Sequence, residues 1–212
     1  MARKLSRKGI LFRVVGFLAL ALVVYRHLNR QEQGEIAQAA GVEQLAELPS
    51  TLGVAGYNVE NLFDLVNDQG SRDGEFTPEG SKRWSQQRLD EKLSDLAQVL
   101  NALEPQPSFV ALAEVEHKAL VDSLLAVAEW TQYRTAHVES PDFRGIDCAL
   151  VYDARLFQPF KLESHSVPGL ETSRSILEVT GTLVAGDTLT FFVNHWPSRI
   201  GGRAKSEPKR ML

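Results

Sequence analysis

Asn194, His195, Ser198, Arg199 and Arg203 fall within one stretch, FFVNHWPSRIGGR, where an apolar strand runs out into a turn containing Gly201 and Gly202. Histidine titrates near neutrality and can hold or pass a proton. Arginine presents a planar fork to phosphate oxygens, and paired glycines let backbone amides approach an anion closely. The grouping suits a phosphate ester, with Asn194, Ser198 and Arg199 as candidates to hold it. Two earlier strand ends offer oxygen ligands for a hard cation: Asn58 in VAGYNVENLFD and Glu114 in FVALAEVE. Magnesium-type ions take such donors and usually keep several waters.

Each residue also has a plainer reading. Glu114 precedes an expected helix and suits its positive end. Asn58 is a common turn residue, and Glu60, Asn61 and Asp64 suit the task of satisfying backbone where a strand ends. His195 follows LTFFV and fits a buried imidazole bonded to backbone. In FRGID, Arg144 and Asp147 either pair with each other or line a substrate groove. The acidic loop with Asp68, Asp73, Glu75 and Glu79 lacks the alternation of an EF-hand and reads as solvated.

The elements that must position these residues follow from periodicity. Leu52 to Val59 reads as a strand. Leu89, Leu93, Leu96, Leu100 and Leu103 recur at alternating spacings of four and three, which predicts one amphipathic helix from about Ser81 to Leu103. The residue before a proline is pushed out of the helical region, so Glu104-Pro105 ends it. Phe109 to Val115 reads as a buried strand and His117 to Trp130 as a second helix. Further strands are expected at Tyr133 to Val138, Ile146 to Tyr152, Ile176 to Val184 and Thr188 to Asn194, the last two joined by a short turn. Strands mixed with helices of this length imply sheets covered by helices.

Charge is segregated. Residues 1–30 hold seven of the 23 basic residues and no acid, leaving 16 basic against 27 acidic residues and a balance of −11 in the remainder. Such a body does not attract nucleic acid by bulk field. The single cysteine, Cys148, excludes an internal disulfide framework and a cysteine-type zinc site.

The basic opening is followed by an apolar run from Val14 to Tyr25, which reads as a targeting or anchoring segment over 1–30. An uncleaved membrane-spanning helix places the body outside the cytoplasm. A cleaved signal, with Ala37 and Ala39 near the cut, makes the protein secreted, and a buried core helix is the third reading. Residues 31–51 read as a polar linker and 52–212 as the domain.

Taken in order, YNVENLFD, DGEFTPEG with Trp84, KLSDLAQVL, ALAEVE, FRGID and VNHWPSRIGG resemble the endonuclease/exonuclease/phosphatase family over roughly 52–212. The resemblance implies an α/β (α+β) fold, a deoxyribonuclease-like sandwich of two sheets flanked by helices with its site at one edge. It implies Mg2+, or Mn2+ or Ca2+, as cofactor and a phosphodiester substrate, with nucleic acid one candidate. Glu114 matches the metal-binding glutamate, Asn58 the first-strand asparagine and His195 the histidine that touches the scissile phosphate. The resemblance also implies GDFN and SDH motifs, the latter supplying the base. Neither string occurs in residues 1–212. The expectation is a phosphoesterase cut short and impaired, with a non-catalytic anchored binding module or inactive remnant as the alternative.

Overall fold

Two apolar strands separated by an amphipathic helix make a parallel crossover at the centre of the first sheet. A computed structural model describes residues 13–15, 20–27, 49–170, 173–197 and 202–210. The elements are β1 (Arg13–Val15), β2 (Leu20–His27), β3 (Gly53–Leu62), α1 (Gln86–Asn101), β4 (Phe109–Val115), α2 (Lys118–Val127), β5 (Tyr133–His137), β6 (Asp147–Asp153), β7 (Phe157–His165), β8 (Ile176–Leu183), β9 (Thr188–His195) and α3 (Arg203–Arg210). One sheet runs β1-β3-β4-β6-β5 and the other β2-β9-β8-β7. β3 and β4 are parallel, joined through α1, while β4, β6 and β5 alternate in direction.

Side-chain alternation sorts the first sheet into two cores. Ala55, Val110, Leu112, Ala149 and Val151 pack with the leucines of α1 and α2. Val54, Phe109, Ala111, Ala113, Cys148 and Leu150 face the second sheet and meet Phe157, Leu177, Val179, Leu189, Phe191 and Val193. The expected two-sheet sandwich with flanking helices is what forms.

α1 begins five residues later than its periodicity predicts, because Ser85 supplies the cap and accepts a hydrogen bond from the Arg88 N–H. β7 was not foreseen: Pro159 interrupts its sequence, and Phe160 and Leu162 are exposed. Proline is tolerated there because β7 is an edge strand. Glu178 of β8 ties that edge down, accepting from Lys161 Nζ at 2.7 Å and lying 2.5 Å from His165 Nε2. Lys161 holds the Glu178 carboxyl below its ordinary 4.5, with burial opposing and His165 assisting. A depressed carboxyl stabilises the fold above its unfolded pKa and loses that contribution as pH falls through the folded one. Glu178→Gln is expected to lower the urea midpoint modestly at pH 7, with the gap to wild type closing once pH drops below the ordinary 4.5.

The amino terminus departs from the helical span expected over 1–30. β1 pairs in parallel with β3, and β2 pairs antiparallel with β9 along all eight of its residues. An apolar run of this length fits a buried strand as readily as a helix, and the open edges of β3 and β9 supply the partners that decide it. Among the described residues no helix is long and apolar enough to cross a membrane. The candidate cleavage site at Ala37 and Ala39 lies outside the described residues.

Candidate functional site

Alternation along β9 puts Leu189, Phe191 and Val193 into the inter-sheet core. His195, two residues on, therefore faces the first sheet at the end of that core. Along β3, Val54 faces the same layer, and Asn58 shares its parity. Glu114 arrives differently. Ala113 packs into the inter-sheet core but Val115 into the helix-side core, so the alternation slips by one residue at Glu114. The register of β4 shifts there against β6, and Glu114 has a φ of 67°. The extra residue of a β-bulge re-aims its side chain in this way. β3 is irregular at the matching level, between Asn58 and Leu62, where Glu60 and Asn61 have φ of 55° and 64°.

These departures bring three chain-distant side chains together. Asn58 Nδ2 donates to Glu114 Oε1 at 3.1 Å, and His195 Nε2 lies 3.5 Å from the same oxygen. Asn58 is itself fixed, since its Oδ1 accepts the Glu60 N–H at 2.8 Å. Burial pushes the His195 pKa down to about 4, with Arg174 and Arg144 adding to the effect and Glu114 and Asp142 opposing it. The imidazole is neutral at neutral pH, and its Nδ1 is buried without a hydrogen-bond partner.

Arg174, unnoticed in the sequence, is the organising cation. Its Nε donates to the His195 carbonyl at 3.3 Å and its guanidinium to Asp142 Oδ2 at 3.0 Å. Lys92 is a second unforeseen cation: its Nζ donates to the Glu60 carbonyl at 2.9 Å. Burial lowers the Lys92 pKa, against the pull of Glu60, Glu114 and Asp95. No local motif marks either residue, because each reaches the site from a remote element.

Several expected partners are separated. Asn194 lies on the opposite face of β9 from His195, as adjacent strand residues must. Arg144 does not pair with Asp147: its Nε lies 3.6 Å from Asp142 Oδ1, which also accepts the Arg144 N–H at 2.9 Å. Asp147 is buried, accepts the Ser140 N–H at 3.0 Å and lies 3.5 Å from His137 Nε2. Gly145, at φ 73°, makes the turn between Arg144 and Asp147. Arg203 engages Glu207 of its own helix at 2.8 and 2.9 Å. Ser198 and Arg199 lie outside the described residues.

In the acidic loop Glu75 and Glu79 are exposed as expected and Asp68 is half-buried, and Asp73 is the exception. Asp73 is 1% exposed, as is Glu116 just beyond β4. Burial pushes the Glu116 carboxyl up to about 8, opposed by the hydrogen bond from the Asp64 N–H.

The donor set at Asn58 and Glu114 fits a magnesium-type cation. It offers one hard carboxylate whose side chain keeps 14% of its surface exposed, so an ion there can retain waters. Cysteine plays no part, since Cys148 is buried in the inter-sheet core.

No curated protein matches the chain. Among solved structures it is similar to a humanized D. rerio TDP2 carrying 14 mutations, at 15% identity and a TM-score of 0.46, covering 74% of this chain. The chain spans 55% of that structure's length. The endonuclease/exonuclease/phosphatase family profile matches residues 53–212, a stretch that includes Asn58, Glu114 and His195. Members of that family generally use divalent metal ions. The chain belongs to the endonuclease/exonuclease/phosphatase family.

Proposed function

We propose that the site at Asn58, Glu114 and His195 holds a divalent cation of the magnesium type together with a phosphodiester, and hydrolyses the ester. The observation that carries this reading is the position of Glu114 Oε1, between Asn58 Nδ2 at 3.1 Å and His195 Nε2 at 3.5 Å, with ligands drawn from both sheets. Glu114 is the residue to hold the cation, which when bound stabilises charge on the phosphoryl oxygens. Asn58 fixes the carboxylate by its hydrogen bond. Neutral His195 offers an N–H to a phosphoryl oxygen, and Arg174 orients it through its carbonyl. Lys92 and Arg174 add positive charge beside the anion. A nuclease is favoured over a lipid or sugar phosphatase, although the acidic body supplies no bulk attraction for a polynucleotide.

A second reading is a binding module that grips a phosphoester without turnover. It is favoured by the hydrogen bond that already joins Asn58 Nδ2 to Glu114 Oε1, which gives a preformed cradle without itself supplying a base. One experiment separates the two. The full 212-residue chain is incubated with bis(4-nitrophenyl) phosphate and with plasmid DNA, in magnesium and in EDTA. Magnesium-dependent cleavage supports the hydrolase. Magnesium-dependent binding of the diester without cleavage supports the module, and neither binding nor cleavage defeats both.

A further inference from the structure

The loop from β3 to α1 folds back on the end of β4. Glu116 Oε2 accepts the Asp64 N–H at 2.7 Å, and Asp73 Oδ2 accepts the Asp68 N–H at 2.9 Å. The second oxygens of these two carboxylates, Glu116 Oε1 and Asp73 Oδ1, are buried and have no hydrogen-bond partner. Ligand atoms of Asp68, Asp73 and Glu116 lie within 4.8 Å of one another, and those of Asp64, Glu116 and His117 do the same.

The neighbouring cations offset this charge only in part: His117 acts on Glu116 through charge alone and makes no hydrogen bond to its free oxygen. His117 Nε2 engages Asp68 Oδ2 at 2.9 Å and its Nδ1 engages Glu139 Oε1 at 3.2 Å, which leaves no ring nitrogen for Glu116 or Asp73. The Arg72 guanidinium lies over the Phe143 ring, 5.6 Å from its centroid. Lys82 is directed to Glu75 and the Phe76 ring. Unpaired carboxyl oxygens taken out of water are costly unless a proton or a cation sits between them.

We propose that Asp68, Asp73 and Glu116, with Asp64 at the rim, form a second cation site of calcium type, distinct from the site at Glu114. Asp68, Asp73 and Glu116 offer oxygen only, and the nearby His117 has both ring nitrogens engaged by Glu139 and Asp68. Such a set on an irregular loop suits calcium, which accepts carboxylates in variable geometry, whereas magnesium demands a near-ideal octahedron and zinc prefers nitrogen and sulfur. The bound ion fastens the loop to β4 two residues beyond Glu114 and so holds the bulge that aims Glu114. The loop is anchored elsewhere by Trp84 Nε1, which donates to the Phe63 carbonyl at 2.9 Å, and by the Phe63–Phe76 stack. The cation completes a third attachment. This inference does not rest on the phosphoesterase reading.

The test is thermal unfolding of the full chain, first stripped with EDTA and then titrated with calcium chloride. Wild type, Asp73→Asn, Glu116→Gln and Glu114→Gln are compared, and calcium stoichiometry is measured for Glu114→Gln by equilibrium dialysis. Ligand binding to the folded state raises the midpoint with the logarithm of concentration. Wild type and Glu114→Gln should show that rise, and Glu114→Gln should retain one bound calcium. Either amide in the loop site should weaken half-saturation by about 10-fold or more. The amides relieve like-charge repulsion, so both variants are expected to fold without the ion.

The idea is overturned if Asp73→Asn responds to calcium as wild type does, or if Glu114→Gln alone abolishes the response. It is also overturned if calcium does nothing while mild acid stabilises wild type to the level of the amides, because a shared proton would then occupy the gap.

Discussion

Glu114→Gln is expected to reduce magnesium-dependent phosphodiester cleavage by about a thousandfold, the scale of several kcal/mol of lost charge stabilisation at a metal-assisted centre. The substitution keeps the side chain's shape and an oxygen to accept from Asn58 Nδ2, so the change removes charge rather than packing. The fold should survive, with an unchanged urea midpoint. His195→Ala is the comparison: losing one positioned donor costs about a hundredfold or somewhat more in kcat. The two variants should also separate in metal dependence. Glu114→Gln should raise the magnesium concentration needed for half-maximal rate, and His195→Ala should leave it alone. Equal cleavage by wild type and Glu114→Gln would remove Glu114 from the chemistry.

Phe109→Ala should be the most damaging single change to stability, at about 3–5 kcal/mol in urea unfolding. The Phe109 side chain is fully buried at the start of β4. Its ring meets Phe191 at 4.4 Å between centroids and Phe157 edge-on at 5.3 Å, so one residue touches both β9 and β7 across the inter-sheet layer. Truncation leaves a cavity that Phe157 and Phe191 cannot fill by local shifts, because each also contacts the other at 5.6 Å. A loss below about 1 kcal/mol, far under the usual cost of burying and then deleting such a ring, would mean the two sheets are not packed as described.

The domain's skeleton was legible because it is written in local periods. The leucine spacing of α1, the unbroken apolar run of β4 and the alternation in β9 each depend only on near neighbours in sequence. Asn58, Glu114 and His195 could be singled out because each ends an apolar run. The slip that aims Glu114 could not be read, since a bulge is defined by the register of a partner strand. Arg174 and Lys92 escaped notice for a related reason: their roles come from carbonyls and carboxylates tens of residues away. The burial of Asp73 within an otherwise solvated acidic loop is illegible in the same way, because composition reports charge and not burial. At the amino terminus, 20–27 has a composition that serves a bilayer span or a sheet, and only the available partner distinguishes them.

The pairing of β2 with β9 ends with Leu20 opposite His195. Backbone groups bonded across that seam cannot also close the internal hydrogen bonds that a helix in lipid requires. Residence in the sheet and residence in a bilayer are thus mutually exclusive states of one stretch of chain. Leaving the sheet would strip the flank of the very strand that presents the His195 imidazole, so the amino-terminal pairing and the placement of that ring are coupled.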